Sequence, residues 1–180
     1  DNSSNSNQII ASPYQQGTWI GSSQGNWNSN NNWCGGIPNG NMNAIIPSGN
    51  TVDLNVPNEV SLVNLTNSGT LNILSNKELT LTGNLTNNGT LTLENGATLV
   101  QGASSAYSGS GTVQVKQSIT GGNNGNSPNG RFWYLGSPVA GGLSSILDAA
   151  GANVVKYWDE PGAAWVEITD NTTALDVGRG

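Results

Sequence analysis

A ten-residue phrase in this chain is used twice. Asn64-Leu65-Thr66-Asn67-Ser68-Gly69-Thr70-Leu71-Asn72-Ile73 returns 20 residues later as Asn84-Leu85-Thr86-Asn87-Asn88-Gly89-Thr90-Leu91-Thr92-Leu93. A third copy, Ser110-Gly111-Thr112-Val113-Gln114-Val115, follows after 22. A degenerate copy, Val52-Asp53-Leu54, stands 19 residues before Leu71-Asn72-Ile73. A fixed period near 20 with short alternating apolar segments is the mark of a solenoid.

Two apolar pairs recur in each period. Val52/Leu54, Leu71/Ile73, Leu91/Leu93 and Val113/Val115 form one set, and Val60/Leu62, Leu79/Leu81 and Leu99 the other, with Gln101 at the last partner position. Alternation at period two places each pair on one face of a strand. The Asn, Ser and Gly between them are turn formers that tolerate left-handed backbone. The period fits one coil of a parallel β-helix, with equivalent residues stacked about 4.8 Å apart. Leu71 would lie between Val52 and Leu91, and Asn67 over Asn87 would form an amide ladder. Each coil buries its apolar face only against its neighbours, so the array needs caps.

Composition narrows the function. Charged residues make up 9% of the 180, and the net charge is −6. Nucleic acid and anionic membrane surfaces both favour basic proteins, so neither is an expected partner. No apolar run is long enough for a membrane span. No signal peptide is visible, so the chain reads as mature or excised. Cys34 is the single cysteine, which excludes an internal disulfide, and the absence of His excludes a histidine base or ligand.

Residues 1–16 are polar and read as a flexible segment. A tryptophan-rich stretch follows, carrying Trp19, Trp27 and Trp33. Three indoles so close together are a large apolar payload. They are expected to cap the solenoid, which would occupy 17–120. If exposed, they would instead offer a stacking surface for sugars. Gly121 to Gly130 is rich in Gly and Asn and reads as a linker. From Arg131 the grammar changes to aromatic strands: Phe132–Leu135, Val154–Trp158 and Ala164–Ile168. Asp159-Glu160-Pro161-Gly162 joins the last two as a hairpin turn. Leu143 to Ala150 reads as one short helix ended by Gly151. Trp133, Trp158 and Trp165 are the expected core of this antiparallel module, 131–180. The whole is an all-β chain: a short capped parallel β-helix and a partial antiparallel β-module.

Gly17-Thr18-Trp19, Gly25-Asn26-Trp27, Asn32-Trp33-Cys34-Gly35-Gly36-Ile37-Pro38 and Ala44-Ile45-Ile46-Pro47-Ser48-Gly49 together resemble a head found on large surface proteins of Bacteroidetes. There the head precedes coils similar to Leu85–Thr92, and Arg131–Val139 resembles the module that commonly follows. The resemblance spans roughly residues 17–180. It implies export by the type IX secretion route, a place at the cell surface, and adhesin or multidomain exoprotein architecture. Such proteins usually end in a sorting domain. None is visible here, and Asp176-Val177-Gly178-Arg179-Gly180 breaks off within a module, so the chain reads as the front of something longer.

Candidate chemistry is sparse. Aligning Val60 with Leu79 sets Glu59 and Glu78 on adjacent coils, about 5 Å apart at the backbone. That is near the carboxylate spacing of retaining glycosidases, and pectin-degrading enzymes also place acids on β-helix faces. Thr98 takes the next position and Lys77 adjoins Glu78, which favours two solvated surface acids. The same oxygens could serve a weak Ca²⁺ site, without a loop motif to support it. There is no Gly-x-Ser-x-Gly elbow. The 121–130 segment lacks the Gly-Lys-Ser/Thr of a phosphate loop. Cys34 beside Trp33 reads as a small buried apolar residue. Thr80-Leu81-Thr82 and Thr90-Leu91-Thr92 suggest the Thr-x-Thr arrays of ice-binding solenoids, but they fall on different strands, and the Asn72, Thr92 column is irregular. Sequons at Asn64, Asn84, Asn88 and Asn171 arise from Asn/Thr-rich repetition.

The favoured expectation is a non-enzymatic structural or adhesive module at a bacterial surface. It would need no cofactor, act as a rigid spacer ahead of downstream domains, and stack head to tail into fibres if its ends are open. One alternative is a glycan-binding module using Trp19, Trp27 and Trp33. The other is a polysaccharide-degrading enzyme using Glu59 and Glu78.

Overall fold

The computed structural model describes residues 13–118, 134–137, 140–147 and 154–177. The chain divides into two units, one up to Lys116 and one from Gln117. The first is the solenoid. Strand β1 (Gln24–Asn26) precedes its coils. Coil one holds β2 (Ala44–Ile46), β3 (Thr51–Leu54) and β4 (Val60–Leu62). Coil two holds β5 (Leu65–Asn67), β6 (Thr70–Ile73) and β7 (Glu78–Leu81). Coil three holds β8 (Leu85–Asn87), β9 (Thr90–Leu93) and β10 (Thr98–Gln101). Coil four is carried by β11 (Tyr107–Ser108) and β12 (Thr112–Val115).

Stacking gives three parallel sheets, one per side: β1-β3-β6-β9-β12, β10-β7-β4 and β11-β8-β5-β2. The expected register holds residue by residue. Val52 pairs with Leu71, Leu71 with Leu91, and Leu91 with Val113. On the second side Val60 pairs with Leu79 and Leu79 with Leu99. The third side is an addition to the expectation: Leu65-Thr66-Asn67 and Leu85-Thr86-Asn87 are strands, not turns. Their apolar signal is one Leu each. The second inward position of each strand is an Asn, which reads as a turn former. Inward residues of all three sides form one core, in which Leu54, Leu62, Leu71, Ile73, Leu79, Leu81 and Leu91 are wholly buried.

Two asparagine ladders fix the corners. Inside, Asn67 Nδ2 donates to Asn87 Oδ1 at 2.8 Å and to the Thr90 carbonyl at 3.0 Å. Asn87 Nδ2 in turn donates to the Thr112 carbonyl at 3.1 Å. At another corner, Asn64 Oδ1 accepts from the Asn84 amide at 2.7 Å and Asn84 Oδ1 from the Ala106 amide at 3.0 Å. Asn43 Oδ1 accepts from both the amide and Nδ2 of Asn64. A side-chain oxygen one coil back thus satisfies a main-chain donor where the chain turns and strand pairing lapses. Gly69, Gly89 and Gly111 stack just past the inner ladder. A Cβ on Gly89 would collide with the Gly69 carbonyl, and one on Gly111 with that of Gly89. Only glycine lets the coils close to strand spacing there.

Burial falls off toward coil four. Leu91 is wholly buried, Val113 half-buried, and Val100, Tyr107 and Val115 exposed. Among the described residues no strand pairs with the outer edges of β10, β11 and β12.

The second unit is made of small antiparallel sheets. β13 (Gly142–Leu143) pairs with β16 (Ala174–Leu175), and β14 (Val155–Asp159) with β15 (Ala164–Ile168). The expected hairpin is present. Gly162 N–H donates to Asp159 Oδ2 at 3.1 Å, and Ala163 closes the turn at φ 47°. The expected helix from Leu143 is instead a strand end and a 3-10 turn, Ser144–Leu147. Ser144 explains the difference: its Oγ donates to the Asp170 carbonyl at 2.7 Å and accepts from the Thr173 amide at 3.1 Å. A serine bonded this way competes with a helix. Tyr134 and Leu135 are not in a strand. Trp165 is 52% exposed and Trp158 half-buried, so neither is the core expected of them. They meet edge to face across the hairpin at 5.5 Å. A two-stranded ribbon buries one side of such a pair at best. Residues 1–12, the 121–130 linker, Phe132, Trp133 and 148–150 lie outside the described residues.

Candidate functional site: the tryptophan cap and the acidic pair

The cap extends one side of the solenoid by a further strand and a second side by a single bridge. β1 pairs in parallel with β3, Gly25 facing Val52. Thr18 bridges to Ile45 in parallel, with Trp19 N–H donating to the Ile45 carbonyl at 2.8 Å. Trp27 N–H continues the β1 ladder to the Asp53 carbonyl at 2.8 Å. Trp19 and Trp33 face each other across an antiparallel bridge. The backbone therefore carries all three indoles onto the first coil.

The rings close over the core as one cluster. Trp19 and Trp33 meet edge to face with centroids 5.0 Å apart, and Trp27 and Trp33 are tilted at 4.5 Å. Such offsets suit the ring quadrupoles. Trp33 Nε1 donates to the Trp27 carbonyl at 2.8 Å and Trp19 Nε1 to the Ser22 carbonyl at 3.0 Å. Gly25 leaves the rings room: its Cβ would stand 3.1 Å from the Trp19 ring, close enough that the ring would have to shift by a few tenths of an ångström. Trp19, Trp27 and Trp33 are 2%, 0% and 2% exposed. This is the cap arrangement. The exposed stacking surface that the sugar-binding alternative needs is not what these rings present, because the apolar end of coil one is itself the surface they cover. Cys34 is half-buried and not in the core; its Sγ lies 3.2 Å from the Tyr14 carbonyl.

The acids are placed level by the register. Glu78 opens β7 and faces Thr98, while Glu59 immediately precedes Val60, the partner of Leu79. Both are exposed. Glu59 lines a shallow depression of about 290 Å³ with Asn28, Asn39 and Asn58, and Glu78 does not line it. A retaining pair must flank one bond inside one cleft. The structure brings these residues to adjacent coils, and the depression that Glu59 lines does not reach Glu78. Among the described residues no three of His, Cys, Asp and Glu gather as a metal site.

The outward face of the longest sheet carries a feature that pair-by-pair reading missed. Thr51, Thr70, Thr90 and Thr112 form one unbroken column. It was legible as the Thr before each apolar pair. Beside it runs Asp53, Asn72, Thr92 and Gln114, with Asn72 Nδ2 donating to Asp53 Oδ1 at 2.8 Å. The double Thr array of an ice-binding face is therefore not formed.

Sealed coils and a separate antiparallel unit define a capped β-solenoid protein. The family model described as a domain of unknown function, DUF8693, matches residues 18–180. The chain belongs to that family. Comparison with curated proteins and with solved structures gives no match.

Proposed function

We propose that this chain is a structural module of a secreted bacterial cell-surface protein of adhesin type, in which the solenoid is a stiff spacer. The finer reading, a Bacteroidetes exoprotein exported by the type IX route, rests on the sequence resemblance of residues 17–180. The observation that carries the spacer reading is the unbroken register of the longest sheet from Val52 to Val113, with parallel stacks in step on the other two sides. In an array of this kind bending or stretching must break strand pairing on several sides together. Low charge and a polar surface of Thr and Asn suit a part that separates other parts. The cap bears on fibre formation: head-to-tail stacking needs two open ends, and Trp19, Trp27 and Trp33 close one.

Pulling the whole chain through handles at positions 17 and 116 tests the spacer. The expected record is a series of force peaks, each releasing one coil. A coil of 20 residues lengthens by roughly 70 Å when extended. Smooth extension at low force would overturn the reading. A glycan array probed with the same chain, with calcium and with chelator, tests the adhesive part. Specific binding that survives Trp33→Phe would place recognition outside the cap. Binding lost in that variant would revive the tryptophan alternative.

A further inference from the structure

We propose that Asn39 is a self-modifying residue whose conversion uncaps the outer edge of β4. Three Asn-Gly pairs stand among the described residues: Asn39-Gly40, Asn88-Gly89 and Asn95-Gly96. In the first, Gly40 N–H donates to Oδ1 of Asn39 itself, at 2.8 Å. The nitrogen is thereby held beside Cγ, the carbon it must attack to close a five-membered imide. Both residues are exposed, and no atom stands within 4 Å of where a Gly40 Cβ would be. Gly40 sits at φ +64°, where glycine can rotate freely as the ring forms. Asn88-Gly89 is the opposite case. Its Gly89 nitrogen is bonded to the Asn67 carbonyl at 3.1 Å, inside the stacked coils.

The chemistry needs only water. Gly40 nitrogen gives its proton to hydroxide and bonds to Cγ. The tetrahedral carbon then expels Nδ2, which takes a proton from water and leaves as ammonia. One water opens the imide at either carbonyl. The product is an aspartate or its isomer, in which the main chain runs through the side-chain carbon.

Asn39 is not a neutral place for this event. Its Oδ1 accepts from the Ser61 amide at 3.4 Å, and the Met42 carbonyl accepts from the Val63 amide at 2.9 Å. The first bond covers the outward donor of Ser61 in β4, the edge strand of its sheet, and the second the donor just past its end. The isomer lengthens the backbone by one carbon and draws the oxygen away from Ser61. Either product also adds a carboxylate to the depression that Glu59 lines. An unpaired edge donor is a template for pairing with another chain. The residue thus works as a slow clock on this edge.

The test is peptide mapping by mass of the full chain aged at mildly alkaline pH, folded and in denaturant. The expected result is acid at Asn39 accumulating several-fold faster than at Asn88 in the folded chain, and at equal rates in denaturant. Equal or slower conversion of Asn39 in the folded chain would overturn the proposal. Gly40→Ala, which keeps the attacking nitrogen but restricts the backbone, should slow conversion at Asn39; an unchanged rate in a folded variant would overturn the role given to glycine's freedom at φ +64°. If the variant fails to fold, Asn88 will convert as in denaturant, and the wild-type ranking still decides. Amide exchange at Ser61 should quicken in the aged protein, and unchanged protection there would overturn the uncapping.

Discussion

Asn67 and Asn87, wholly buried, are joined side chain to side chain at 2.8 Å from one coil to the next. The ladder has a direction. Asn87 is satisfied on both sides, whereas Asn67 Oδ1 is buried and unpartnered, facing the coil where Ile46 takes its register position. Asn87→Ala removes the acceptor for Asn67 and leaves the Thr112 carbonyl without its Nδ2 donor. It should cost about 1–3 kcal/mol, read as a lower denaturant midpoint. Ile46→Asn would supply the missing donor and offset part of the lost burial. It should be clearly milder than Leu71→Asn, which puts the same amide where no ladder runs. Equal losses would show that the ladder does not extend.

Glycine at position 89 is set by the carbonyl of Gly69. Gly89→Ala should lower stability by about 1–3 kcal/mol through overpacking. Gly49→Ala meets only strain at φ +80°, with open space around it. It should cost about 1 kcal/mol. Thermal melts of the two variants check the ranking.

The cap predicts its own energetics. Trp33→Ala removes a ring packed on Trp19 and Trp27 and the donor to the Trp27 carbonyl. A loss of about 3–5 kcal/mol is expected. Hydrogen exchange should then quicken first in β2 and β3, next to the vacated end, and last in β9.

Leu91 and Leu99 stand on one coil, the first in a strand covered by β12 and the second in an edge strand. Leu91→Asp buries a charge with no partner, and the solenoid should not fold. Leu99 is half-buried, so Leu99→Asp should leave a folded protein with a lower midpoint. Circular dichroism distinguishes them. Wild-type melting of Leu91→Asp would mean that this side chain faces solvent.

In the second unit Asp170 accepts from the amides of Thr172 and Thr173, at 2.6 and 2.7 Å, and from both hydroxyls. The Thr172 amide is the main cause of its lowered pKa, with the hydroxyls and the Thr173 amide adding to it. A depressed folded value means that the turn gains stability above the ordinary aspartate pKa. That gain is lost as pH falls through the folded value. Carboxyl titration by NMR should place Asp170 below the ordinary value, and protection of the Thr172 and Thr173 amides should fade as it protonates. Asp170→Ala should abolish that pH dependence.

The solenoid was readable because its period repeats the same chemistry at Leu71, Leu91 and Val113, and a parallel stack converts sequence offset directly into contact. The third side was missed because one of its two inward residues is Asn67 or Asn87, whose burial depends on a partner 20 residues away. The cap was legible as a payload of indoles, while their inward aim depends on bridges that no local pattern announces. In the second unit the hairpin followed from its turn residues. The helix failed because Ser144 is claimed by Asp170 and Thr173, residues distant in sequence.

The closed end of the stack is also the end that is synthesised first. Trp19, Trp27 and Trp33 all precede β2 in the chain. From β5 to β12 each strand pairs with one 19 to 22 residues behind it, as Leu71 does with Val52 and Val113 with Leu91. A polypeptide emerging from its N-terminus can therefore lay each new coil on a finished edge without waiting for distant sequence. Assembly becomes one-way: a foundation, then courses laid upon it, with the newest course always the loosest.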